Sequence, residues 1–188
     1  LFLSALTTIT GSLEKAVQAS SRVLAVQGQV IPATNVDVML WAELEDGEKI
    51  YGESNISKSK KSINRIGCLP ENPTALPNAL DAIKEADLIV LGPGSLYTSL
   101  LPNLLVPEIV NALLDSNAPK IYISNLMTQP GETDGLDVYQ HIKSIEKQLS
   151  IFGVNTRIFN AILSQVEFEK SPLIDYYQSR GAEPVKCN

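Results

Sequence analysis

The stretch "DLIVLGPGSLYTSLLPN", residues 87–103, decides the fold. Leu88-Ile89-Val90-Leu91 is an apolar run of strand length that breaks into Gly92-Pro93-Gly94-Ser95. A run so short, bounded by turn residues, reads as a buried strand. Helical patterns flank it: "ALPNALDAIKEA" before, and "VPEIVNALLDS" after, where Pro107 is tolerated in a first turn. "KIYISN" repeats the strand signal, and "NAILSQ" gives a further short one. Between them "LDVYQHIKSIEKQL" places Val138, Ile142, Ile145 and Leu149 along one helical face. "PLIDYYQSRG" reads as a helix stopped by Gly181, and "AEPV" leads into a last edge. This alternation from residue 74 onward predicts right-handed βαβ crossovers and a mostly parallel sheet, a Rossmann-like α/β layer fold.

The first third of the chain follows other rules. Residues to Thr10 look helical with Gly11 as the stop, and Ser12 caps a second helix through "LEKAVQASSRVL". Val36, Val38, Leu40, Ala42 and Leu44 then alternate with Asp37, Met39, Trp41 and Glu43, the period of a half-buried strand. Asp46-Gly47 supplies a turn and "KIYGESNI" a return, so residues 35–56 read as a β-hairpin inserted into the α/β fold. "SKSKKSINRIGCLPENPTALPN" reads as loop, with a short strand at most around Ile63 to Ile66.

The totals narrow the function. The 188 residues, 44% hydrophobic and 19% charged, suit one globular domain with a sizeable core. No apolar run approaches the roughly 20 residues that span a bilayer, and no signal-peptide pattern opens the chain. The chain starts on Leu1 in what reads as mid-helix, the pattern of a fragment. A net charge of −6 argues against a broad nucleic-acid face. Lys58, Lys60, Lys61 and Arg65 form the only basic cluster and read as a solvated loop. Two cysteines, Cys68 and Cys187, give neither a disulfide framework nor metal spacing, so a reducing cytoplasm is expected.

In an open parallel sheet, ligands collect beyond the carboxyl ends of the strands. Two strands here end in unusual loops. In the first, Gly92, Pro93, Gly94 and Ser95 lead into Tyr97, Thr98 and Ser99; glycines let backbone N–H groups approach an anion, and hydroxyls add donors. It lacks both the Gly-x-Gly-x-x-Gly and the P-loop pattern, so a phosphate cradle and a tight turn remain equal readings. The second, Ser124 to Gly135, offers Asn125 and Thr128 as donors. Its Glu132 and Asp134 are the candidate Mg²⁺ ligands, against a plainer reading in which Thr133 or Asp134 caps the next helix. His141, the single histidine, reads as a surface or partly packed residue, which leaves no Ser/His/Asp triad to argue. Cys68 lacks an activator other than Arg65. Trp41 reads as an exposed aromatic on the hairpin, and Tyr176-Tyr177 as a pair of which one is core and one could stack on a base or sugar.

"DLIVLGPGSLYTSLLPNLLVPEI" followed a helix later by "SNLMTQPGETDG" resembles the CofD-like superfamily, and within it the YvcK-type branch of gluconeogenesis factors. "SRVLAVQGQVIPAT", "AELEDGEKIYGESNI" and "YYQSRGAEPV" carry the resemblance over nearly the whole chain. It implies a Rossmann-like α/β/α fold and a cytoplasmic protein that binds UDP-sugars such as UDP-N-acetylglucosamine and supports cell shape and wall synthesis on gluconeogenic carbon. It also implies a glycine-rich turn and an Asp-Asp-Gly segment ahead of Leu1, a basic residue beyond Asn188, and an aromatic contact matching Tyr177. The related CofD transferase moves phospholactate from a nucleotide diphosphate carrier to a deazaflavin with Mg²⁺. Gly-Pro-Gly-Ser-Leu-Tyr departs from that transferase's Pro-Ser-Asn-Pro-like loop. The leading expectation is therefore a nucleotide-sugar-binding regulator, with the diphosphate against Gly92, Gly94 and Ser95, Asn125 and Thr128 nearby, and Tyr177 on the uridine or sugar. A Mg²⁺-dependent transferase is the alternative. A homo-oligomer fits either reading, with no nucleic-acid partner.

Overall fold

A computed structural model describes residues 1–25 and 27–187. Parallel strands β4 (Ile89–Leu91), β5 (Lys120–Ile123) and β6 (Ala161–Leu163) form one sheet in that order. Helices α5 (Pro107–Asp115) and α6 (Val138–Ser150) lie between successive strands, as the alternating pattern predicts. The fold is α/β of Rossmann-like type. Helix α4 (Pro77–Lys84) precedes β4 and packs on α5, and α7 (Pro172–Gln178) follows β6. At the amino end α1 (Phe2–Thr10) stops at left-handed Gly11, and α2 (Leu13–Val23) is capped by Ser12, whose Oγ accepts from Lys15 N. Among the described residues no helix is long and apolar enough to cross a membrane.

The hairpin expectation needs correction. Strand β1 (Met39–Leu44) pairs antiparallel with β2 (Lys49–Tyr51), but also with β3 (Ile63–Leu69) on its other edge. The insertion is thus a three-stranded sheet, and the return strand is cut short by the one-turn α3 (Glu53–Ile56). The serine and lysine run hides β3 because its pattern is not alternating: Ile63, Ile66, Gly67 and Cys68 are all buried. Helix α6 covers the free edge of β3, where Gln148 Oε1 accepts from Ile66 N at 3.3 Å. A sheet edge buried under a helix needs such a partner for its N–H groups.

The segment after Gly94 is the second departure. It is not an open loop but one π-helical turn (Leu96–Leu100) running into a 3₁₀ turn (Leu101–Leu105). Leu96, Leu100, Leu101, Leu104 and Leu105 are buried and share one core with Ala42 and Leu44 of β1, Ile66 of β3, and Ile142, Ile145 and Leu149 of α6. This plug of leucines joins the two sheets.

Trp41 is half-buried rather than isolated. It lies opposite Gly67 across the β1–β3 pair, with Lys49 Nζ 4.7 Å and Arg65 Cζ 5.4 Å from its ring centroid. A Cβ on Gly67 would fall 2.2 Å from the indole Cζ2, so the glycine is the seat of the ring. Gly67→Ala is expected to destabilise the chain by ~1–3 kcal/mol through overpacking, measured by urea unfolding.

His141 is fully buried, not at the surface. Its Nδ1 donates to the Asp137 carbonyl at 2.8 Å, while Nε2 is buried without a partner. Burial, which disfavours the imidazolium, is the larger influence and lowers its pKa. The unfolded chain then binds a proton that the folded chain resists. Stability is full above the ordinary histidine value of about 6.5 and falls as pH drops through the depressed folded value. His141→Leu is expected to flatten the stability profile below about pH 6.5, followed by denaturant midpoints at each pH.

Candidate functional site

The two anomalous loops leave adjacent parallel strands, and the structure ties them to each other. Gly92, at φ +90°, lets the chain turn against β5; a Cβ there would lie 2.5 Å from the Ile123 carbonyl oxygen. Gly94 N donates to Asn125 Oδ1 at 2.9 Å, and Asn125 Nδ2 donates back to the Gly94 carbonyl at 2.8 Å. Ser95 Oγ donates to Gln129 Oε1 at 2.5 Å. Thr98 Oγ1 and Gln129 Nε2 both donate to Glu132 Oε1, at 2.8 and 2.9 Å. The donors that sequence reading offered to a phosphate at Gly94, Ser95 and Thr98 therefore already have partners inside the protein. Of the two readings of the first loop, its geometry favours the tight turn.

Glu132 is the hub of this network. Its side chain is buried, and Oε1 takes a third hydrogen bond from Ser57 Oγ at 2.9 Å, from the segment after α3. Gly131, at φ +86°, permits that approach, since a Cβ would meet Ser57 O at 2.2 Å. Glu132 Oε2 is buried with no partner. Asp134 is exposed and accepts from Gly131 N at 2.7 Å. Neither Thr133 nor Asp134 caps α6. Asp137 does, in a capping box with Gln140. Among the described residues no three His, Cys, Asp or Glu side chains gather into a metal-holding group.

The remaining candidates divide between two places. Pro93, Asn125, Thr128 and Tyr177 line one groove of about 1100 Å³ beyond the carboxyl ends of the parallel strands. Its far wall is residues 165–169 with Leu173, Ile174 and Arg180. Thr128 is buried at its edge: its N donates to the Glu183 carbonyl and its Oγ1 accepts from Glu183 N at 2.8 Å. With the Met127–Pro184 bridge, this stitches the second loop to the carboxyl-terminal segment. Tyr177 stacks edge-on against Tyr176, ring centroids 5.6 Å apart, and both are exposed. Neither tyrosine is core. Arg180, with Cζ 4.5 Å from the Tyr176 ring centroid, supplies the groove's cation, and sequence reading missed it. Its signal was its place: it follows the tyrosine pair by three and four residues, in the turn just past the end of α7.

Tyr97 goes elsewhere. It is buried, its hydroxyl 3.0 Å from Ser144 Oγ and donating to the Ile63 carbonyl at 3.4 Å, and burial raises its pKa. Ser99 is exposed, and its carbonyl accepts from Asn103 Nδ2.

Fold and groove define an α/β protein with a groove at the carboxyl end of a parallel sheet, the place where ligands collect in such folds. Residues 1–188 match the model of the family described as 2-phospho-L-lactate transferase CofD. The chain is 52% identical over 185 residues to a protein of Nostoc sp. whose name refers to a gluconeogenesis factor, covering 98% of this chain and 40% of that one. It is 43% identical to the gluconeogenesis factor of Bacillus subtilis over 185 residues, 98% of this chain and 57% of that one. A crystal structure of a UPF0052 family member from Bacillus halodurans superposes with a TM-score of 0.89 at 43% identity, over 100% of this chain and 59% of that one. The chain belongs to the CofD family. It spans about half the length of these curated relatives.

The Asn125 clamp should matter to stability before it matters to any ligand. Asn125→Ala leaves the Gly94 N–H without its acceptor and is expected to cost ~1–3 kcal/mol. Thermal denaturation checks this, with Asn125→Asp retaining the acceptor and recovering part of the loss.

Proposed function

We propose that this chain is the nucleotide-sugar-binding part of a gluconeogenesis factor, a cytoplasmic regulator that supports cell shape and wall synthesis on gluconeogenic carbon. The observation that carries the reading is the groove. At about 1100 Å³ it has room for a ligand larger than drug-sized pockets of ~300–1000 Å³ usually hold. Its apolar walls, Leu126 to Pro130 on one side and Leu173, Ile174 and Tyr177 on the other, suit a flat base. Arg180 suits a diphosphate, which it can meet through paired N–H groups. The diphosphate then rests on Arg180 and the outer surface of Pro93 and Asn125. Gly92, Gly94, Ser95, Thr98 and Ser99 shape that surface from behind.

The family's transferase description supports a second reading, a Mg²⁺-dependent transferase acting on a nucleotide-diphosphate-linked donor. Its metal would rest on Glu132 and Asp134, but Glu132 Oε1 already accepts three hydrogen bonds from Ser57, Thr98 and Gln129, so the binding role stands first.

Calorimetry with UDP-N-acetylglucosamine on the full chain is expected to show saturable binding. Tyr177→Ala should weaken it about tenfold, since aromatic stacking on a base contributes roughly 1–3 kcal/mol. Binding that Tyr177→Ala leaves unchanged removes the assignment. Turnover of a nucleotide diphosphate donor with Mg²⁺ favours the transferase.

A further inference from the structure

A second cavity, of about 280 Å³, lies between α6, the approach to β3 and the second loop. Lys60 and Lys61 reach it from the segment before β3, and Lys143 and Lys147 from α6. Four lysines from two distant segments thus line one cavity in a chain of net charge −6. Two are already neutralised: Lys61 pairs with Asp46 at 2.9 Å and Glu48 at 2.6 Å, and Lys143 with Glu146 at 2.8 Å. Lys147 donates only to the neutral Asn64 amide oxygen, and Lys60 has no ion-pair partner among the described residues. Lys60 also sits at φ +52°, a left-handed conformation that costs a β-carbon residue energy and gathers at ligand sites.

The opposite lining is of another kind. Glu132, with its unpartnered buried oxygen, lines the cavity together with Glu45, Asp134 and the Ser144 and Tyr97 hydroxyls. A bare anion meets the lysines but is repelled by these carboxylates. A bare cation meets the reverse. A ligand that satisfies both ends carries an anionic head and hydroxyl donors on a short body. The volume excludes a nucleotide sugar.

We propose that this cavity is a second binding site, distinct from the groove, for a small phosphomonoester of a polyol. The phosphate lies on Lys60 and Lys147, whose charges are otherwise uncompensated. The hydroxyls donate toward the carboxylate side, where the exposed Glu45 and Asp134 accept.

Equilibrium binding of glycerol 3-phosphate to the full chain tests this, with inorganic phosphate and glycerol as the two half-ligand probes. Saturable binding of glycerol 3-phosphate is expected, at least tenfold tighter than either half. The Lys60→Asn, Lys147→Gln double variant should weaken it tenfold or more. Asparagine tolerates the left-handed backbone at position 60, and both sites are exposed, so the fold is spared. Tyr177→Ala, which acts in the groove, should leave it unchanged. Absence of saturable binding, inorganic phosphate binding as tightly as the ester, or affinity that survives the double variant each overturns the proposal.

Discussion

One buried carboxylate oxygen holds three pieces of chain in place. Glu132 Oε1 accepts from Ser57, Thr98 and Gln129, which belong to the antiparallel insertion, the turn after β4 and the loop after β5. A carboxylate taken out of water needs such donors, because burial without them costs several kcal/mol. The arrangement makes the three segments interdependent. Moving any one strips a donor from a group that has no solvent to replace it. The apolar counterpart is the leucine plug of residues 96–105, which packs the same two sheets together without directional bonds.

This explains why the conspicuous glycine-rich turn is more scaffold than cradle. The Gly94 N–H and the Ser95 and Thr98 hydroxyls are turned inward to Asn125, Gln129 and Glu132, and what the turn shows the groove is Pro93. The groove it borders takes its chemistry from side chains that arrive later in the chain, Tyr177 and Arg180, and from the carboxyl-terminal segment that Thr128 pins against the second loop. A rigid floor built early and a wall of specific side chains added late is the usual division between positioning and recognition.

The parallel half of the fold was legible because its strands and helices obey one period at a time. Ile89–Leu91, Lys120–Ile123 and Ala161–Leu163 are short apolar runs between amphipathic helices, and the helix face of Val138, Ile142, Ile145 and Leu149 is buried as its spacing requires. Strand β3 was legible only in its first half, around Ile63 to Ile66, since serines and lysines precede it and its burial comes from being roofed by α6. His141 misled for another reason: three residues after Val138 and four before Ile145 it shares the buried helical face, and only its polar residue type argued for the surface. At the groove, glycines and hydroxyls drew attention by composition, yet composition cannot tell a donor aimed outward from one spent on Asn125 or Glu132. Gln129, which bridges both loops, stands within the stretch "SNLMTQPGETDG", yet nothing in that stretch says that its side chain reaches Ser95 and Glu132.

Trp41 is the single tryptophan of the chain. Seated on Gly67 between Lys49 and Arg65, it makes the antiparallel insertion the one part of the molecule that fluoresces through an indole. Emission on unfolding therefore reports when β1 and β3 separate and is silent about the parallel sheet. Tyr51 stands opposite Trp41 in that same sheet, whereas Tyr122 is enclosed in β5 and packed on Phe159 at 5.6 Å between centroids. Trp41 and Tyr122 thus sit in different sheets, and any difference in the transition midpoints read at these two side chains measures how tightly the leucine plug and Glu132 couple them.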